Sequence, residues 1–375
     1  MLFNVCALYI KIMNNENQTI HKSDDNLTIY GWNEKLNQLK QESIYSTLAH
    51  GRVSIVHRTC YEVISGNGLF QCELTGNMMY GKSDDELPCT GDWVIFQPFD
   101  EHKGIIVDRL PRERTLYRKK SGTVADKQAI ASYVDKAFIV QSLDDNFNVR
   151  RVERFMVQIM EENISSVLVL NKADLDFDRQ SVEEQIKHIS SQIPVFFTSI
   201  HQLETIVRLR KSISEGETVV FVGSSGVGKS SLVNALCEKP VLLTSDISLS
   251  TGKGRHTSTR REMVLMDSSG VLIDTPGVRE FGLAIDNPDS LAEVLEISDY
   301  AESCRFKDCK HINEPGCAVI EAVNSGALDS KVYESYLKLR REAWHFSASE
   351  HEKRKKEKSF TKLVKEVKNR KDANR

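Results

Sequence analysis

The spacing of apolar and polar positions changes character twice along the chain. From about Gly51 to Arg118, short runs alternate apolar and polar side chains: Arg52 to His57, Cys60 to Ile64, Gly68 to Leu74 and Asp92 to Gln97. A strand points successive side chains to opposite faces, so such alternation predicts strands with one face buried. Gly66-Asn67-Gly68, Asp84-Asp85 and Gly91-Asp92 punctuate the runs as turns. Several short strands at this spacing predict a small β domain, and a five-stranded OB-type barrel fits its size.

Beyond a Lys/Gly-containing connection, Lys119 to Lys127, the runs become continuously apolar. They are Ala137 to Leu143, Val167 to Leu170, Pro194 to Phe197, Val219 to Val222 and Val271 to Ile273. Helix-like segments stand between them, notably Val152 to Glu162 and Ser181 to Ser191. Buried strands alternating with helices predict a parallel sheet covered on both faces. Ligands of such sheets bind at the carboxyl ends of the strands. After about Leu291 the pattern turns helical, with Ser330 to Phe346 and a mostly polar Ser349 to Lys371 as helices. The expected organisation is an N-terminal extension over 1–47, partly disordered because Asn14 to Asp25 is polar. A barrel domain over 48–118, an α/β domain over 119–290 and a helical, cysteine-bearing domain over 291–375 follow.

Composition alters this picture little. At 375 residues, 40% hydrophobic and 27% charged, the chain has the balance of a soluble multidomain protein. No apolar run approaches the roughly 20 residues of a membrane span. The apolar opening Met1 to Met13 contains Lys11 and lacks a small-residue cleavage site, so it is expected to be an extension rather than a signal peptide. A cytoplasmic monomer without membrane contact is the expectation. Charge says more. From Lys331 onward, 15 Lys/Arg stand against 7 Asp/Glu, a tail of +8 that leaves −11 on the rest of a chain of net charge −3. A basic tail on an acidic body points to a polyanion such as RNA, with a solvated charged helix as the plain alternative.

The chemistry centres on Gly223-Ser224-Ser225-Gly226-Val227-Gly228-Lys229-Ser230, between a β-branched run and a helix-like segment from Ser231 to Cys237. That context is what a phosphate-binding P-loop needs. The glycines let backbone N–H groups turn inward on a triphosphate, Lys229 would reach the β- and γ-phosphates, and Ser230 would ligate Mg²⁺. Asp274-Thr275-Pro276-Gly277 ends the run Val271 to Ile273, where Asp274 would hold a water on the metal and the Gly277 N–H would meet a γ-phosphate. Asn171-Lys172-Ala173-Asp174 follows the run Val167 to Leu170 and is a guanine-reading arrangement. Its Asp174 carboxylate accepts from guanine N1–H and the 2-amino group, which adenine does not offer. Thr198-Ser199-Ile200 stands where a supporting base-contact loop belongs.

The order of these motifs is unusual. Asn171 to Asp174 precede Gly223 to Ser230, which precede Asp274 to Gly277, so the domain is expected to be a circularly permuted GTPase. Between the phosphate loop and Asp274 lies Gly252 to Arg261, rich in glycine and hydroxyls, the expected switch; Thr257 or Thr259 would close on Mg²⁺. Val278 occupies the place where many GTPases carry a water-orienting Gln, which leaves His256 as the nearest candidate in sequence, against a structural or RNA-contacting histidine. Finally, Cys304, Cys309, His311 and Cys317 offer three thiolates and an imidazole, a closed tetrahedral set suited to structural Zn²⁺. The other cysteines are scattered, which suits a reducing compartment.

Together these motifs, with Cys304 to His311 and Glu314-Pro315-Gly316-Cys317, resemble the RsgA (YjeQ) family of circularly permuted GTPases over roughly Gly51 to Trp344. The resemblance implies an OB domain, a permuted GTPase domain and a zinc-finger domain. It also implies late maturation of the small (30S) ribosomal subunit, contact with its 16S rRNA, and GTP hydrolysis stimulated by the subunit. His256 is the family's proposed catalytic residue by the same resemblance, while Lys229 and Ser231 fall within the phosphate motif. Tyr133 stands where the family usually shows Asn, and Ile200 where a small residue is usual. The competing expectation is a non-enzymatic, GTP-switched rRNA-binding module.

Overall fold

The computed structural model describes residues 25–80, 85–119, 127–237, 261–266, 270–274 and 289–347. His256, Thr257, Gly277, Val278 and the predicted helix from Ser349 to Lys371 lie outside the described residues.

The described chain opens with helices α1 (Asp25–Thr28) and α2 (Glu34–Glu42), the second capped by the Asn33 side chain, which accepts from Leu36 N–H at 3.1 Å. The apolar pattern marked neither, because so few turns carry no readable period. Leu27, Trp32 and Leu36 are buried against Trp93, Ile95, Leu110 and Tyr133, with the Trp32 and Trp93 rings edge to face at 4.8 Å.

Five strands follow: β1 (Ala49–Val56), β2 (Tyr61–Ser65), β3 (Gly68–Leu74), then helix α3 (Gly76–Tyr80), β4 (Trp93–Asp100) and β5 (Lys103–Arg109). They pair β1-β2-β3-β5-β4 and β4 closes on β1, all antiparallel except β3–β5. This is the closed OB barrel. Val53, Val63, Phe70, Cys72, Val94, Phe96 and Ile106 fill it. The alternation missed β5 because Ile105 and Ile106 are adjacent in sequence; Ile106 points in and Ile105 out.

After a hairpin of β6 (Leu116–Lys119) and β7 (Lys127–Ala131), the α/β part runs β8 (Lys136–Ser142), α4 (Val149–Glu161), β9 (Ser165–Asn171), α5 (Arg179–Gln185) and α6 (Lys187–Ser190). It continues through β10 (Val195–Thr198), α7 (Leu203–Arg210), β11 (Thr218–Val222), α8 (Lys229–Leu236), β12 (Glu262–Leu265) and β13 (Val271–Asp274). The helix expected over Ser181 to Ser191 is interrupted at Ile186. Strands β10-β9-β8-β11-β13 are parallel neighbours. β12 lies antiparallel to β13, and its Glu262 pairs with Ile55 of β1, so barrel and α/β sheet form one eleven-stranded sheet.

Helices α9 (Asp289–Val294), α10 (Ser298–Ala301), α11 (Ala318–Ser325) and α12 (Ser330–Ser347) complete the described chain. Leu291, Val294, Val319, Leu339 and Ala343 bury in the same cluster as Ile139, Leu168 and Val222 of the sheet. The C-terminal helices therefore share the core of the α/β sheet. Across that contact Arg154 of α4 meets Glu342 of α12 at 2.8 Å, and Arg150 meets Glu334 at 3.7 Å.

Arg52 sits where the N-terminal segment, the barrel and the α/β sheet meet, 1% exposed. Its guanidinium donates to Gly91 O at 3.0 Å, Thr218 Oγ1 at 2.9 Å, Tyr133 O at 3.4 Å and the carbonyl of Tyr30. Burial lowers its pKa to about 10, so it stays charged at neutral pH. Tyr133 has a left-handed backbone (φ 53°), a conformation in which Asn is more at ease than Tyr; its hydroxyl donates to Pro111 O at 2.5 Å and its ring is buried. Arg52→Met should fill the space yet leave three backbone carbonyls without their donor. A loss of about 2–4 kcal/mol in denaturant unfolding is expected, and an unchanged midpoint would show that Arg52 does not join the three parts.

Candidate nucleotide site and metal centre

Strand order explains how distant motifs meet. In the sequence of neighbours β9-β8-β11-β13, the carboxyl ends carry Asn171 on β9, the glycine loop after β11 and Asp274 on β13. The loop after β8, from Leu143 to Asn148, lies between the first two.

Gly223, Gly226 and Gly228 all have positive φ (150°, 82° and 88°). A Cβ on Gly228 would lie 2.4 Å from Asn171 Nδ2, and one on Gly223 would lie 2.4 Å from Val140 O. Larger residues would push the loop off the sheet end. Asn171 is buried; its Nδ2 donates to Val227 O at 2.9 Å, and its Oδ1 accepts from the Thr198 hydroxyl at 3.2 Å. One carboxamide thus joins the loops after β9, β10 and β11. Val227 is buried in apolar surroundings, while Ser225 and Gly226 are exposed. Ser230 and Ser231 lie in the first turn of α8, whose N-terminal dipole faces the loop. Lys229 Nζ donates to Gly223 O and Ser224 O, each at 2.7 Å.

On the other side, Ala173 N–H donates to Thr198 O at 2.9 Å. The Ser199 hydroxyl donates to Asp174, which holds this exposed carboxyl below its ordinary pKa. Lys172 (φ 61°) meets Asp144 Oδ2 at 2.8 Å. Partial burial works to raise the Asp144 pKa, but donation from Lys172, from Ser142 Oγ (2.6 Å) and from Asn146 N–H (3.0 Å) brings it down to about 2. Asp144, Asn146 and Arg151 escaped the motif reading. The available signal was a polar run, Asp144-Asp145-Asn146, at the carboxyl end of a buried strand.

In the C-terminal part, the ligand atoms of Cys304, Cys309, His311 and Cys317 all lie within 4.8 Å of one another. His311 Nδ1 is 3.5 Å from the sulfurs of Cys304 and Cys317, which are 3.9 Å apart. A tetrahedral zinc ion with Zn–S about 2.3 Å and Zn–N about 2.0 Å requires S···N near 3.5 Å and S···S near 3.8 Å. The donor set fits a zinc site. Burial, with the nearby Arg340 cation, lowers the His311 pKa and favours the neutral, metal-ligating imidazole. The Glu314 carboxylate accepts from the N–H groups of Ile312 (2.9 Å), Asn313 (3.1 Å) and Lys310 (3.2 Å), which folds the turn between ligands and holds its pKa near 2.

A family model described as RsgA GTPase matches residues 109–284. A small ribosomal subunit biogenesis GTPase RsgA 1 from Bacteroides thetaiotaomicron is 76% identical over 359 residues, covering 96% of this chain and 99% of that protein. The chain belongs to the RsgA GTPase family. It is therefore a GTP hydrolase by family. A relative from Methanosarcina acetivorans, named small ribosomal subunit biogenesis GTPase RsgA, is 38% identical over 87% of this chain and 89% of its own. Among solved structures, YjeQ from Thermotoga maritima superposes with TM-score 0.60 at 27% identity, over 79% of this chain and 98% of that one. YloQ, described as a circularly permuted GTPase, shares the fold at TM-score 0.60 and 22% identity, over 82% and 99%. An ABC transporter model also matches residues 206–371, a span that holds the phosphate loop but not Asn171 to Asp174.

Within this RsgA-family chain, Ile200 is exposed at the surface of its loop, which is instead held by Ser199 N–H to Thr205 Oγ1 at 3.1 Å and His201 N–H to Ser199 Oγ at 3.0 Å. The Asp144–Lys172 pair makes a test. A carboxyl with a depressed folded pKa stabilises above its ordinary value near 4 and loses that contribution as pH falls through about 2. Asp144→Asn should therefore cost about 1 kcal/mol at pH 7, discounted for partial exposure. The gap should close between about pH 4 and pH 2 in urea titrations; a gap independent of pH would refute the ionic origin.

Proposed function

We propose that this chain binds the small (30S) ribosomal subunit and its 16S rRNA late in subunit maturation, and hydrolyses GTP to GDP and phosphate faster when the subunit is bound. The observation that carries this is the Asn171 Nδ2–Val227 O bond, which holds a guanine-reading loop against a phosphate loop. The names of the relatives supply the ribosomal subunit. Asp174 selects guanine, Lys172 lies along the base, and Asn171 and Ala173 shape that loop. Backbone N–H groups from Gly223 to Ser231 receive the phosphates, and Lys229 offsets charge on the β- and γ-groups. Ser230, and Asp274 through water, hold Mg²⁺, which when bound neutralises charge on the triphosphate. In the switch segments, Thr257 senses Mg²⁺, the Gly277 N–H senses the γ-phosphate, and His256 orients the attacking water that Val278 cannot.

Cys304, Cys309, His311 and Cys317 hold one structural Zn²⁺, with no open coordination position for catalysis. The basic stretch after Lys331 supplies phosphate contacts to rRNA. Residues 48–118, 119–290 and 291–375 act as rRNA-facing barrel, GTPase and zinc-bearing units, in a cytoplasmic monomer. No helix among the described residues is long and apolar enough to cross a membrane.

Turnover measured with and without purified small subunits tests the proposal: a strong rise is expected, and none would sink it. Lys229→Ala should abolish nucleotide binding, whereas His256→Ala should bind GTP and fail to hydrolyse it; normal hydrolysis by His256→Ala would remove that assignment. Protein purified without chelator should carry about one zinc per chain, and chelation should loosen the C-terminal helices while GTP binding persists. Metal-free protein with unchanged stability would exclude the zinc role.

A further inference from the structure

Helix α4 starts against the usual electrostatic rule. Its first turn contains no acidic residue and carries Arg150 and Arg151. The positive end of the helix dipole disfavours a cation there. Arg150 and Arg154 are answered by Glu334 and Glu342 on α12. Arg151 has no carboxylate partner among the described residues. Its Nη1 donates instead to Ser224 Oγ at 2.9 Å, Asn146 Oδ1 at 3.1 Å and Asn146 O at 3.3 Å. These acceptors are neutral, so they fix the guanidinium without cancelling its charge. Ser224 is the second residue of the phosphate loop, and its carbonyl also takes the Lys229 ammonium at 2.7 Å. Two cations from two helices thus converge on one residue of the loop.

We propose that Arg151 is a second cationic contact to the phosphates of the nucleotide and promotes γ-phosphoryl transfer; this rests on the GTP reading of the site. Exchange of a hydroxyl for an anionic oxygen favours the guanidinium, which keeps its charge and offers paired donors. In hydrolysis, water oxygen bonds to the γ-phosphorus while the β–γ bridging P–O bond breaks. The electron pair leaves on GDP oxygen, and the water protons go to phosphate and solvent. Arg151 offsets the charge gathering on those oxygens, a task made heavier by Val278 in place of Gln. The paired contacts of Arg154 with Glu342 of α12 help hold the helix in place, and Asn148 Oδ1 caps it by accepting from Arg151 N–H at 3.2 Å.

The test is single-turnover GTP hydrolysis, with and without small subunits, alongside GTP and GDP binding and thermal unfolding of Arg151→Gln and Arg151→Lys. Gln keeps hydrogen bonding and removes charge. We expect Arg151→Gln to hydrolyse at least about tenfold more slowly with GDP affinity and unfolding near those of the unaltered chain, and Arg151→Lys to recover much of the rate. A rate for Arg151→Gln within about twofold of the unaltered chain would overturn the proposal. So would equal loss of GTP and GDP binding that Lys fails to rescue, which marks a scaffold role. Failure of the unaltered chain to bind GTP would overturn the nucleotide site itself, and Arg151's part with it.

Discussion

The geometry of the site depends on one buried carboxamide. Asn171 ends β9, donates to Val227 O and accepts from Thr198, so three strand-end loops share a single side chain. Buried amide groups left unpaired cost about 1–3 kcal/mol each, so the loops hold their positions together or not at all. Gly228 makes the approach possible, because any Cβ there would collide with Asn171 Nδ2. The permuted order of motifs does not disturb this arrangement: what matters is that their strands are near neighbours in one sheet.

Charge around this point is distributed by the same logic. At the loop after β9, Asp144 pairs with Lys172 at 2.8 Å, and the two charges offset each other. On the phosphate side, Lys229 and Arg151 rest on carbonyl, hydroxyl and amide oxygens.

The site is also tied to the rest of the chain. Helix α4 bears Arg151 towards the phosphate loop and Arg150 and Arg154 towards α12, and the C-terminal helices pack into the core of the sheet. At the other end, Arg52 binds the N-terminal segment, the barrel and the first residue of β11, the strand that leads into the phosphate loop. Movement at the loop is therefore mechanically connected to both flanking parts, through the buried Arg52 contacts on one side and the shared apolar core with the half-buried Arg154–Glu342 pair on the other.

Much of this was legible from sequence alone where the requirement is local. Glycines in Gly223 to Gly228 answer a backbone demand within a few residues, and the strand before Asn171 and the spacing of Cys304, Cys309, His311 and Cys317 are equally local. Barrel strands β1 to β4 were visible as alternation; β5 was hidden by adjacent isoleucines, and α1 and α2 were too short to show a period. Only the tertiary structure decided which charges meet. Arg151 reaches Ser224 across 73 residues of sequence, and Arg52 reaches Thr218 across 166. The junction of β12 with β1 and the burial of the C-terminal helices in the core of the sheet are of the same kind. The reason is that such contacts follow from strand order, and strand order is set by how whole elements pack, a property that no short stretch of residues encodes.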